Sequence, residues 1–434
     1  MSRLEAVGRD RETVKAVQVI GNAGVCFLLV WALLCSMPAS AKQDEVSQSP
    51  RKPHHLSSEV CKTCHAQIYG QWRASMHSQS TALADPIHGA FYRFVIGSPA
   101  EAGVKSKKGT FPVCLNCHAP SAALDQKTDL TAQAAYGEGV NCITCHTLTE
   151  YHGLNGPDGK LRYGVETYSF SEEALQAPSG MDYSAQPLGT SAPSDAFHPF
   201  PMQGNPMLKT SQACMGCHDQ RVNFKGAPLC VTGQEYAKFG TFIACQSCHM
   251  PKVDGVTDHT MAGGHGPGMI RQALVFSMDA RKTGDQIKAE VHLHNQLPHA
   301  FPTGAPFRNF YIKVTAYDEN GNVVWQNFKT HPMKEDRKSM FVVLLGDEHD
   351  QIVPPPKATH VIADTRLQPN EKRTITYEIP AKGVKTVYAE ALYNLVLPAQ
   401  IEMLRKMEQE MPDLPPIGED LLDPKPVAFA EVEL

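Results

Sequence analysis

Residues 59–77 read EVCKTCHAQIYGQWRASMH, and near its start stand two cysteines three apart with a histidine directly after the second: Cys61, Cys64 and His65. The same unit recurs at Cys114, Cys117 and His118, at Cys142, Cys145 and His146, at Cys214, Cys217 and His218, and at Cys245, Cys248 and His249. With 13 Cys and 19 His in 434 residues, chance would place on the order of 0.02 such units in the chain. Five are there, so the spacing serves a chemistry.

That chemistry is covalent haem attachment. Two thiols in a C-x-x-C loop add across the two vinyl groups of a haem, and the loop sets the adjacent imidazole as proximal iron ligand. The reading predicts five haem c groups, with His65, His118, His146, His218 and His249 proximal. Two other uses of paired cysteines fit less well. A disulfide within C-x-x-C is a small reactive ring that needs no following His. Zinc ribbons could combine the second pair with the third and the fourth with the fifth, but they strand Cys61 and Cys64 and need no His after each pair.

The N-terminus explains the compartment. Arg3, Arg9, Arg11 and Lys15 precede the uncharged run Ala23–Cys35 and the small-x-small sequence Ala39-Ser40-Ala41, the order of an export signal over residues 1–41. A retained anchor is the rival, though Gln18 and Asn22 interrupt the apolar stretch and a span needs roughly 20 apolar residues. Cleavage would remove Cys26 and Cys35, four basic residues and three acidic ones, leaving 36 Lys+Arg against 42 Asp+Glu and a net charge of −6. The expected location is the periplasm or cell exterior of a bacterium, with membrane contact only if the leader stays. Such a charge points away from nucleic acid, and the 42% hydrophobic content is that of a globular protein.

A polar linker is expected over 42–58, then a loop-rich, mainly helical multihaem domain over 59–268. Its attachment units are 53, 28, 72 and 31 residues apart. This long–short alternation suggests that the second lies beside the third and the fourth beside the fifth. After residue 269 the pattern changes. Ile287, Ala289, Val291 and Leu293 alternate with polar residues, as do Phe310, Ile312, Val314 and Ala316. With a turn at 318–321, Val323–Trp325 and further strands at 374–379 and 386–397, period two predicts an antiparallel β-sandwich over 269–398. A helix at 401–411 and a Pro-rich tail with a last strand complete 399–434.

Each iron has a second axial position. A second imidazole or a thioether there makes an electron carrier, whereas an open position permits substrate chemistry. Distal candidates are His77, His152, His198, His259 and His299, with His265 in reserve; His88 is undecided. His54, His55, His292, His294, His331, His349 and His360 read as surface residues. Met202, Met207, Met215, Met261 and Met269 compete as soft ligands, and Cys230 reads as a small buried hydrophobe.

The run from Cys61 to His77, with Tyr69, Trp72 and Ser75, resembles the opening of the cytochrome c-554 type of multihaem c cytochromes. GVNCITCH (139–146), CMGCH (214–218), CQSCHMP (245–251) and DHTMAGG (258–264) are similar to later haem segments of that group and of related nitrogen-cycle oxidoreductases. HAFPTG (299–304) followed by Arg308 resembles the C-terminal half of larger exported members. The resemblance implies a chain of haems in tunnelling contact, often bis-histidine and of low potential. Some members keep one five-coordinate haem, and some small relatives form conducting filaments. Five attachment units stand here against four in the namesake type, and none is of the CxxCK kind.

These readings converge on an exported pentahaem cytochrome that passes electrons between a donor and an acceptor protein. Two alternatives stay open: an oxidoreductase whose open haem acts on a small nitrogen or sulfur compound, and a homo-oligomeric filament subunit.

Overall fold

Period-two alternation after residue 273 produces two antiparallel sheets. The structure is a computed structural model that describes residues 52–179, 198–240 and 242–434. The expected signal peptide (1–41) and the linker up to residue 51 lie outside the described residues. Strand β1 (Leu274–Thr283) turns into β2 (Gln286–Asn295), and β7 (Lys372–Pro380) pairs on the far side of β2. The larger sheet has the order β6 (His360–Asp364), β5 (Met340–Gly346), β3 (Asn309–Tyr317), β8 (Thr386–Asn394) and β9 (Lys425–Glu433), with β4 (Val323–Gln326) also on β3.

The inward positions are those that alternation selects. Ile287, Ala289, Val291 and Leu293 from the smaller sheet share one buried cluster with Phe310, Ile312, Val314, Ala316, Val387 and Ala389 from the larger. Phe310 and Phe341 stack at 4.1 Å with nearly parallel rings, an aromatic contact that adds to area burial. β1, β5 and β6 had no alternating signature in the sequence; β5 (MFVVLLG) is buried along nearly its whole length, which erases the polar positions of the pattern.

The region before residue 268 is built of short helices, two-stranded pairs and loops. Among the described residues its longest helix, α2 (Pro86–Val95), starts where Asp85 accepts hydrogen bonds from the Ile87 and His88 amides at 2.8 and 3.2 Å, a side-chain cap with Pro at the first position. α2 buries Ile87 and Ala90 against Leu404 and Met407 of the C-terminal helix α5 (Pro398–Glu410) and against Leu414, Ile417 and Leu422 beyond it. The described residues fall in one unit, with the C-terminus clasped onto the haem-motif region. The linker expected to reach residue 58 is packed at its end: Leu56 and Ser58 are fully buried. Among the described residues no helix is long and apolar enough to cross a membrane.

Candidate haem sites

Each CxxCH unit folds as a single helical turn. The His65 amide bonds the Cys61 carbonyl at 2.9 Å, His118 that of Cys114 at 3.0 Å, and His146 that of Cys142 at 3.0 Å. Residues three and four apart share a helix face, so one turn presents both thiols and the imidazole together. The remaining units lie in Gln212–His218 and Cys245–His249.

The imidazoles are oriented from behind. Nδ1 of His118 donates to the Ser80 carbonyl at 2.9 Å, that of His146 to Gln176 at 2.8 Å, and that of His249 to Ala262 at 2.6 Å. A bonded Nδ1–H fixes the tautomer and frees Nε2 for a metal. Burial, reinforced by neighbouring imidazoles, pushes His218 down to about 3, and burial lowers His118 and His146 as well. Burial thus favours the neutral form of His118, His146 and His218, which is the ligating form.

Facing rings come from distant segments. His198 stands 6.2 Å from His65, His77 6.0 Å from His218, and His299 6.4 Å from His249, centroid to centroid. Two imidazoles bound to one iron through nitrogens at about 2 Å each put their centroids about 6 Å apart, so these three spacings fit a shared iron. His77 Nδ1 meets Met261 Sδ at 2.6 Å, His259 Nδ1 donates to Thr257 at 2.8 Å and His299 Nδ1 to Ala300 at 3.0 Å. His259 lies near enough to His146 to depress its proton affinity.

His88 faces His118. Their centroids are 3.8 Å apart and both Nδ1 atoms use the Ser80 carbonyl. His88 Nε2 is a buried nitrogen with no hydrogen-bond partner. The sequence left this imidazole undecided; it lies in the helix PIHGAFYRFV. His152 is placed differently from the other candidates: its Nε2 bonds Ser169 Oγ at 2.7 Å and its Nδ1 lies 4.0 Å from Glu150. His265 is half-buried near Arg308 and held at about 4 by its desolvation and that positive charge. His54, read as a surface residue, is 7% exposed.

The units meet through their cysteines. Cys61 interacts electrostatically with Cys142, Cys117 with Cys217 and Cys214 with Cys245, while Cys145 lies within electrostatic reach of Cys214 and Cys217. The order is first–third–fourth, with the second and fifth both beside the fourth. The fifth is where the spacing put it; the second stands beside the fourth, a neighbour the spacing did not suggest. Two glycines make that approach possible. A Cβ on Gly164 would strike the Asn116 carbonyl, and one on Gly216 would strike Thr167 and Tyr168. The 164–168 segment is thus wedged between the second and fourth units.

Paired thiols, neutral imidazoles and an orphaned buried Nε2 are the donor set of covalent haem c, whose iron supplies reversible one-electron chemistry when bound. The Cytochrome c554 and c-prime family matches residues 60–147. A penta-haem cytochrome c552 from Thermochromatium tepidum is 47% identical with a TM-score of 0.80, covering 88% of this chain and 100% of its own. A DUF1425 family member from Shewanella sp. pv-4, 13% identical over 29% of this chain and 77% of its own, has a TM-score of 0.15 and no bearing on the fold. No curated protein matches. The chain belongs to the multihaem c-type cytochromes. Its cofactor is haem c, its role electron transfer, and its partners are redox proteins.

Proposed function

We propose that the chain is an exported electron carrier holding five covalent haems, each between two imidazoles: His65 with His198, His118 with His88, His146 with His259, His218 with His77, and His249 with His299. The observation that carries this is the 6.0–6.4 Å spacing of three of these pairs. That the Thermochromatium relative is a penta-haem cytochrome supports the number. The two sheets act as a sandwich that presents His299 from the loop after β2, which gives the β-rich part a place in the electron path. The N-terminal sequence supports export to the periplasm or cell exterior, and donor and acceptor proteins would meet an acidic surface once haem propionates are added.

The 3.8 Å separation of His88 and His118 favours a second reading at one site. Rings that close must part by about 2 Å before an iron sits between them; if they stay together, the second haem keeps an open sixth position and acts on a small nitrogen or sulfur compound. Low-temperature EPR of purified holoprotein decides the matter. Five low-spin signals support the carrier. A high-spin signal that cyanide or nitric oxide shifts supports the enzyme, and fewer than five covalent haems by mass overturns both.

A further inference from the structure

Beyond the haem irons, we propose that His54, His55 and Asp125 form a binding site for one divalent transition-metal ion of the Zn2+ class. The three residues come from two separate segments. The Pro53–His55 turn carries both imidazoles, and Asp125 follows the short helix Pro120–Leu124. His54 Nε2 lies 2.9 Å from Asp125 Oδ1, and His55 Nε2 lies 2.6 Å from Oδ2. The two rings stand 4.5 Å apart, edge to face, and the three donor atoms all lie within 4.8 Å of one another. Donors bound to one ion at about 2 Å each are separated by about 3 Å, so the carboxylate already stands at ligand spacing from each imidazole.

The carboxylate is also held from outside. The Tyr136 hydroxyl donates to Asp125 Oδ2 at 2.5 Å and accepts from Gln133 Nε2 at 3.2 Å, the kind of outer contact that orients a metal ligand. Burial alone would raise the Asp125 carboxyl, but the hydrogen bonds from Tyr136, His54 and His55 outweigh it and hold the group at about 2. Burial lowers His54 below the ordinary imidazole value. An anionic oxygen and a neutral nitrogen are the forms that bind metal. Two imidazoles and one carboxylate suit Zn2+ and similar borderline ions better than hard Ca2+ or soft Cu(I). The His55 and Asp125 side chains are 28% and 18% exposed, which gives an ion an entry path and water a coordination position. A bound ion would replace the proton shared along each imidazole–carboxylate contact and would tie the start of the packed chain to the segment between the second and third haem units.

The test uses holoprotein with its haems attached, stripped with EDTA and titrated with Zn2+ against a chromophoric chelator, with zinc and iron counted by elemental analysis. We expect one tight Zn2+ per chain and a higher melting temperature with zinc than without. Asp125→Asn and His55→Ala should weaken binding by about tenfold to a hundredfold, and Tyr136→Phe by about tenfold, all with the haem absorption spectrum unchanged. Should Asp125→Asn fail to fold, the partly exposed His55→Ala carries the comparison. Zinc bound only at the level of stray surface histidines, or bound equally by wild type and both ligand variants, would overturn the site. Because the haem spectrum is read in parallel, failure here is distinct from failure of the haem assignments.

Discussion

The Glu235 carboxylate and the Arg366 guanidinium meet at 2.7 Å in the interior, with only 7% and 9% of their side chains exposed. The same carboxylate accepts from the Ala300 amide at 3.1 Å and the Thr303 hydroxyl at 2.6 Å, and Arg366 donates to the Pro302 carbonyl at 3.2 Å. Both charges therefore grip the loop that follows His299. Phe301 on that loop packs against Phe310 at 5.0 Å in the intersheet core. The imidazole facing His249 is thus anchored from two sides.

Glu235→Ala would leave the guanidinium with Asp364, 2.7 Å away, and the Pro302 carbonyl, and forfeit the Glu235 bonds to Ala300 and Thr303. The expected cost is about 3 kcal/mol, the lower end for breaking a buried pair. The EPR signal of the fifth haem should broaden or turn high-spin, because the ligand loop is released. Glu235→Gln keeps an oxygen acceptor for Ala300 and Thr303 and should retain the low-spin signal at a lower melting temperature. A low-spin signal unchanged in Glu235→Ala would separate the ion pair from ligand positioning.

Distal ligation predicts a sharp contrast between two histidines. His77→Ala should convert one low-spin haem to high-spin, since its ring is the one facing His218. His152→Ala removes a partly exposed ring bonded to Ser169 and should leave all haem signals unchanged, with stability altered by no more than about 0.5 kcal/mol. Spectra of the two variants side by side check the assignment.

The proximal half of each site was legible because haem attachment is local: two thiols and an imidazole within five residues. The distal half was legible only in part. His77 and His218 are 141 positions apart, and their meeting depends on packing that no short window contains. His88 stayed undecided because it lies in a helix with no attachment motif beside it, and His152 became a candidate because it follows His146 closely. Half-buried strands such as β2 and β3 announced themselves by alternation, whereas β5, buried nearly throughout, carried no period to read. The spacing of attachment units measured connection length and not direction, which is why the second unit's place beside the fourth had to come from Gly164 and Gly216.

Gly164 tests that last point. Its φ of 52° lies in the left-handed region, and a Cβ would meet the Asn116 carbonyl. Gly164→Ala should destabilise by about 1–3 kcal/mol. It should also push the second and fourth units apart, so reduction of the haems by a fast donor should become biphasic. A melting temperature equal to wild type would show that the wedge tolerates displacement.

Acid sensitivity in the β-rich part should trace to Glu335. Its carboxylate accepts from the Thr330 hydroxyl and from the Lys329 and Thr330 amides at 2.8 Å each, bonds that hold it at about 2 against an ordinary 4.5. A carboxyl depressed on folding stabilises the native state above its unfolded value and loses that contribution as pH falls through the folded one. The melting-temperature gap between wild type and Glu335→Gln should be full near neutral pH and shrink steadily below 4.5. A gap constant from neutral pH to about pH 3 would assign the effect to packing.

The C-terminal clasp makes the final expectation. Leu404 of α5 is fully buried against α2, and Arg93 adds a 3.0 Å contact to Asp413 at the rim. Leu404→Ala should cost about 2–5 kcal/mol, the range for truncating a packed leucine. Because α2 carries His88, the loss should be felt at the second haem before any other, as a change in its spin state or ligand affinity on mild heating. A fall in melting temperature with no early change at that haem would mean that α2 is held by its own Asp85 cap and not by the clasp.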